Sequence, residues 1–311
     1  MKRKMSWETI IILIIVAVSI PLLIWYGFID SVRALLRIKL FYVAISFIVF
    51  LSFTTLRVLP WSVALRNLHI KMGWIHKVLM TYYFWGISSF LSVFGQAFSL
   101  REMERFKKNA RFFSGSILLS TSLVGTLALS IIMLVSAIII SKYIDYAVIF
   151  VLVFYVLSSL LGFNFTFKWL INYLKHRNGN VSKGLLNYIQ TLSKFRGIFS
   201  QRYILLMLLA FLPALLLEGS LIYFILVAEN QSISFIAVMF IFSFSDLVGL
   251  ITLSPSGIGS MDAVLILLLL AEGVPGAVTI STDLLFRLFQ FFLPALQGYL
   301  SIPFIRRYRA G

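Results

Sequence analysis

Apolar residues run along this chain in long blocks, at about 8–28, 40–56, 74–98, 112–141, 146–171, 203–228, 232–253, 258–275 and 281–305. Short segments that hold most of the charge separate them. Several blocks reach the ~20 residues that a helix needs to cross a ~30 Å hydrocarbon core. The ten-residue alternation of a membrane barrel is absent from the sequence. The pattern predicts an all-α polytopic membrane protein. One block is interrupted: Ser254-Pro255-Ser256-Gly257-Ile258-Gly259-Ser260-Met261-Asp262 breaks an otherwise continuous apolar region near the C-terminus. Non-helical backbone at membrane depth is tolerated where protein or a water-filled cavity satisfies its polar groups. This break is therefore the first candidate for a functional site.

Composition agrees with the pattern. The 311 residues are 60% hydrophobic and 12% charged, against roughly 45–50% and 25% in soluble domains. The basic N-terminus and the apolar run behind it resemble a signal peptide, but the run is too long and lacks a small-residue cleavage site, so it reads as a retained first span. Cysteine is absent, which removes thiolate and disulfide chemistry.

The net charge of +16 would suggest nucleic acid in a soluble protein. Here the basic residues sit at the ends of apolar blocks, as cytoplasmic anchoring against anionic headgroups requires, and nucleic acid is not an expected partner. They decide the topology too. The basic groups of the N-terminus, Arg57–Lys77, Arg101–Arg111, Lys168–Arg202 and Arg306–Arg309 all fall on one side if the block at 74–98 is a re-entrant hairpin. The same logic makes 232–253 and 258–275 a second hairpin, entering from the other face. The expectation is about six full spans plus two re-entrant helical hairpins, the arrangement that an inverted repeat produces, with both termini cytoplasmic at the cell membrane. Residues 1–311 form a single transmembrane domain. Its halves, 1–175 and 200–311, are joined by an amphipathic interfacial helix at about 181–199, where Leu185, Ile189, Leu192 and Phe195 recur at helical spacing. A connector packed beneath the bundle fits that segment equally well.

The candidate chemistry gathers at the second break. Pro255 suits a helix start, Gly257 and Gly259 allow close backbone approach, and Ser254, Ser256 and Ser260 are polar. A helix beginning near Gly259 would offer unpaired N–H groups and the positive end of its dipole to an anion. The plainer reading is a tight bend capped by Asp262. Asp246 precedes the break, and Glu218, Asp283 and Arg287 lie deep in apolar runs, where charge is expensive and faces the bundle interior or a cavity. Arg287 offers a bidentate fork to phosphate; the plainer alternative is an ion pair with Asp246 or Asp262. The first hairpin carries a corresponding break at Gly95-Gln96, followed by Arg101. No nucleophile–base–orienter set and no metal-ligand spacing emerges, so neither an enzyme nor a cofactor is expected.

Ser254 to Ala263, then Glu272-Gly273-Val274-Pro275, then Arg287, Phe291, Pro294 and Gly298 resemble the lysylphosphatidylglycerol synthetase transmembrane-region family of flippase-like membrane domains. Leu56-Arg57 and Gly95-Gln96…Arg101 are similar to its N-terminal half. Asp262 stands where the family has Glu, Gln96 where it has an acid, and Ser256 where it has Gly. The resemblance implies movement of an anionic, aminoacylated or polyprenyl-phosphate-type lipid between leaflets. Arg287 and Arg101 would then hold the phosphate, Gly257 to Ser260 would donate N–H groups, and Asp262 and Asp246 would pair with the arginines or with a cationic headgroup. Membrane lipids with phosphate headgroups are the expected partners, together with a lipid-modifying enzyme. The competing functions are a secondary transporter or channel for a small solute, and a glycosyltransferase using a polyprenyl-phosphate donor.

Overall fold

The computed structural model describes residues 38–67, 72–86, 110–145, 147–148, 201–251, 257 and 259–307. These residues form helices without strands. In chain order they are α1 (Leu40–Leu56), α2 (Val58–Asn67), α3 (74–86), α4 (Ala110–Ile140), α5 (Gln201–Ala228), α6 (Phe235–Ile251), α7 (Ser260–Ala271) and α8 (Gly276–Arg287). A π-helical turn (Leu288–Phe292) then leads into α9 (Leu293–Arg307). Three helical stretches, Leu40–Arg66, Arg202–Ala228 and Gly276–Ile305, are long and apolar enough to cross a membrane. The chain is an integral membrane protein. The Gly95-Gln96 break, Arg101, the interfacial segment at 181–199 and Ser254 lie outside the described residues.

The sequence led us to expect a loop from Arg57. Instead the helix resumes at Val58 and runs to Asn67, giving a stretch of 27 residues with a single interruption at Arg57. Pro60 is no obstacle, because the first turn of α2 has no intrahelical use for its missing N–H. Pro213 lies within α5; interior prolines are tolerated in membrane helices when neighbours re-satisfy the freed carbonyl. Pro294 has a visible consequence. It cannot donate to the carbonyl of residue 290, and Leu293 donates instead to Leu288, five residues back. The wide turn thus falls directly after Arg287.

One end of the bundle can be located from its contacts. The Lys39 N–H donates to the Ala228 carbonyl at 3.3 Å, so α1 and α5 run antiparallel. Lys142 and Tyr143, just past α4, both reach Glu272 between α7 and α8. Ser281 on α8 donates to Glu229, just past α5, at 2.5 Å. The starts of α1, α6 and α8 and the ends of α4, α5 and α7 therefore share one rim.

Beneath that rim the core is apolar, with Phe50, Phe53, Phe240, Phe242 and Phe286 fully buried. Small residues let the helices touch, as membrane packing favours. A Cβ on Gly86 of α3 would lie 2.6 Å from the Pro294 carbonyl and 2.7 Å from the Gly298 Cα on α9. A Cβ on Gly219 of α5 would lie 2.7 Å from the Phe242 ring on α6. The second contact brings Glu218 of α5 towards the polar residues of α6.

Candidate functional site

Helix α6 has 17 residues and α7 has 12, which at 1.5 Å per residue are about 25 Å and 18 Å long. They pack against each other as the two arms of a hairpin. Its tip is tight: a Cβ on Gly249 would lie 3.2 Å from the Gly257 Cα. Gly257 and Gly259 have φ of 69° and 91°, a left-handed backbone that glycine adopts without steric cost.

Helix α7 starts at Ser260, one residue from the expected position, and Gly259 is its N-cap. A glycine cap has no side chain to offer, so the cap comes from within the first turn. Asp262 Oδ2 accepts the Gly259 N–H at 2.8 Å, half of a capping box. This corrects one expectation: the Gly259 N–H is already engaged by Asp262. Ser260 is the first helical residue, and its hydroxyl lies 3.5 Å from the Gly257 carbonyl.

The other Asp262 oxygen pairs with Arg287. Arg287 is 9% exposed, and it makes further contacts. Nη1 donates to Gln290 Oε1 at 3.1 Å, and Nη2 lies 3.4 Å from the Gly257 carbonyl. The anticipated partner Asp246 forms no such bond with it, but lies within Coulombic reach of Arg287, Arg57 and Glu218. The structure thus places Arg287, Asp262, Gly257, Gly259 and Asp246 together.

Sequence reasoning missed a second pair. Arg57 forms an ion pair with Glu218, 161 residues away in sequence, and Glu218 is 1% exposed. The Arg57 guanidinium also lies 3.4 Å from the centre of the Trp85 ring, a cation–π contact. Counted in the sequence with the cytoplasmic basic residues, Arg57 instead turns into the bundle, where a carboxylate and an aromatic face compensate its charge. The depth of Glu218 in its run was the available signal. Its partner was hidden because Arg57 sits where an apolar block ends. Trp85 packs edge-on against Phe53 in the core.

These groups lie at one level. Counted from the shared rim at 1.5 Å per residue, Glu218, Asp246, Asp262 and Arg287 are each about 14–17 Å deep, about half of a ~30 Å core. Asp283, one turn before Arg287, lies within Coulombic reach of Asp262 and Arg287, and its Oδ1 is buried. Among the described residues, no cluster of three or more His, Cys, Asp or Glu side chains could hold a metal ion. What the layer can do is hold an anion on a guanidinium while carboxylates compensate that guanidinium in the anion's absence.

The rim carries a different chemistry. Burial pushes the Glu229 carboxyl up to about 7, against the opposing effect of the Ser281 hydroxyl. Burial acts the same way on Glu272, but hydrogen bonds from Lys142 and Tyr143 outweigh it and hold its carboxyl below the usual range.

Relatives show the same kind of protein. The chain is 35% identical over 75 residues to a UPF0104 membrane protein of Methanocaldococcus jannaschii, covering 24% of this chain and 22% of that one. A UPF0104 membrane protein of Methanothermobacter thermautotrophicus is 31% identical over 116 residues, 37% of this chain and 33% of the relative. These alignments span a third or less of the relatives' lengths. The family described as "Lysylphosphatidylglycerol synthase TM region" matches residues 10–298. This helical membrane chain, with its paired charges at a helix break, belongs to that family.

Proposed function

We propose that the chain moves a lipid with an anionic phosphate headgroup between leaflets, the tails remaining in the bilayer while the headgroup passes the break before α7. The observation that carries this reading is the Arg287–Asp262 pair at the start of a helix too short to cross the membrane. A phosphate arriving at Arg287 replaces the single Asp262 oxygen that faces the guanidinium with a bidentate acceptor, so the guanidinium is compensated with and without a lipid. In this reading α6 and α7 are a re-entrant hairpin whose counterpart is the break at Gly95-Gln96, with Arg101 as a second phosphate contact. The two hairpins are halves of an inverted repeat, both termini are cytoplasmic at the cell membrane, and a lipid-modifying enzyme supplies the substrate. Anionic, aminoacylated and polyprenyl-phosphate-type headgroups all offer the required phosphate. The process is transport without catalysis by this chain.

The test is movement of headgroup-labelled lipid in liposomes containing the purified protein. Movement should be headgroup-dependent and should fall at least tenfold in Arg287→Ala, the factor that loss of ~1.4 kcal/mol of a charge-assisted contact produces. Arg287→Lys should restore it in part, because a lysine keeps the charge without the fork. Equal rates in wild type and Arg287→Ala would sink the reading. Uptake of a water-soluble solute with no lipid movement would favour the secondary-transporter alternative.

A further inference from the structure

Two carboxyl groups tie helices together at the rim, and only one of them has a cation. Glu272, between α7 and α8, accepts from Lys142 Nζ at 2.8 Å and from the Tyr143 hydroxyl. It stays ionised and pins the turn before α8 to the end of α4. Glu229, just past α5, meets α8 through Ser281, with Oε1 2.5 Å from the hydroxyl oxygen. Its Oε2 is buried with no donor directed at it. Among the described residues, the ionisable groups that the packed elements bring to this rim are Lys39 and Tyr42 at the start of α1, Lys142, Tyr143 and Asp145 past α4, Glu272, and Asp283 on α8. None of them pairs with the Glu229 side chain.

The hydrogens at Ser281 can be counted. Its side chain is fully buried, and its hydroxyl lies within reach of two oxygens, Glu229 Oε1 at 2.5 Å and the Val278 carbonyl at 2.9 Å. A serine has one hydroxyl hydrogen. An ionised Glu229 takes that hydrogen, and the Val278 contact goes without one. A neutral Glu229 supplies the second: its carboxyl donates to Ser281, and Ser281 donates to Val278. The neutral form fills both contacts and removes an uncompensated charge from a buried place, where it is expensive. We infer that Glu229 and Ser281 form a proton-operated latch between α5 and α8, closed while Glu229 carries a proton and released when the carboxylate ionises and turns to water. Glu229 is half-buried at a helix end, so water is within reach. Burial raises its carboxyl to about 7, so the latch is shut below that pH and opens as pH rises through it. Glu272 keeps its hold on α4 throughout, and release parts α8 from α5. Ser281 lies six residues before Arg287, about 9 Å along the same helix. The consequence for movement rests on the transport reading: the latch restrains the helix that carries Arg287, and headgroup movement is favoured once it opens.

The latch is tested without transport. The chain has no cysteine, so Ser232→Cys with Gly276→Cys, both at exposed positions of the rim, gives one pair of spin labels in the purified protein in lipid. Their distance distribution should be narrow at low pH. It should gain a longer component as pH rises, the released fraction growing up to about tenfold per pH unit below about pH 7. Added to the labelled protein, Glu229→Gln, whose amide still donates to Ser281, should keep the narrow distribution at every pH. Ser281→Ala should show the longer component at low pH as well. A wild-type distribution unchanged between about pH 5 and pH 9, or a Glu229→Gln variant that follows the wild type, overturns the latch. Should Glu229→Gln fail to fold, the wild-type titration and Ser281→Ala still decide. In phosphatidylcholine vesicles with a headgroup-labelled phosphatidylglycerol, wild-type movement should rise over the same pH range, and Glu229→Gln should hold it at the low-pH rate. Movement that ignores pH while the distance responds overturns the coupling. A responding distance without lipid movement leaves the latch standing and removes the transport reading, whereas lipid movement with an unresponsive distance does the reverse.

Discussion

Two arginine–carboxylate pairs lie at about the same depth and are built for different ends. Arg57–Glu218 joins two helices long enough to cross the membrane. Its acid is 1% exposed, and an indole ring covers the guanidinium. Arg287–Asp262 sits at a helix break. Its acid is 20% exposed by side chain and doubles as the helix cap. Among the described residues, the carboxylate of the first pair has no second donor, and Glu218 Oε1 is buried. The second pair has alternatives on both sides, with Gln290 and the Gly257 carbonyl near the arginine and the Gly259 N–H and Asp283 near the acid. A buried charge that stays put is architecture, while one whose partners can be exchanged is suited to binding.

The comparison breaks most readily at Glu218. Glu218→Ala should strip Arg57 of its partner and cost about 3–5 kcal/mol of stability, read as a large fall in melting temperature in detergent. The double variant Arg57→Met with Glu218→Leu should recover most of it, because the lone buried charge is gone. It should also leave headgroup movement near the wild-type rate. A double variant that folds but moves no lipid would show that the first pair belongs to the site as well.

Trp85→Leu probes the same distinction more gently. Losing the cation–π contact and edge-on packing should cost roughly 1–2 kcal/mol without altering the rate of headgroup movement. The smallest effect belongs at the rim. Since the Glu229 carboxyl lies at about 7 in the fold against 4.5 otherwise, the folded state binds the extra proton between those values. Stability should therefore fall as pH rises through that window. Glu229→Gln should flatten the dependence by about 1 kcal/mol once solvent screening is allowed for, read as melting temperature against pH.

Much of this was legible along the chain. Helices α1, α4, α5 and α6 begin and end within about three residues of the apolar blocks, because a membrane helix must be apolar over its whole length. The break before Asp262 announced itself through Gly257 and Gly259, residues that a continuous helix has no use for. Arg287 and Glu218 stood out by depth alone. The Arg57 region misled for a physical reason: a charge at the end of an apolar block looks the same whether it faces headgroups or a partner across the bundle.

The sequence by itself determined that this is a helical membrane protein, where one helix must break, and which deep charges require compensation, since each follows from the cost of taking polar groups out of water. Only the tertiary structure decided the partners. Arg57 meets Glu218 because α1 and α5 run antiparallel. Asp262 meets Arg287 because α7 folds back beside α8. Compensation of a charge depends on distance through space, and residues far apart in sequence become neighbours when their helices pack.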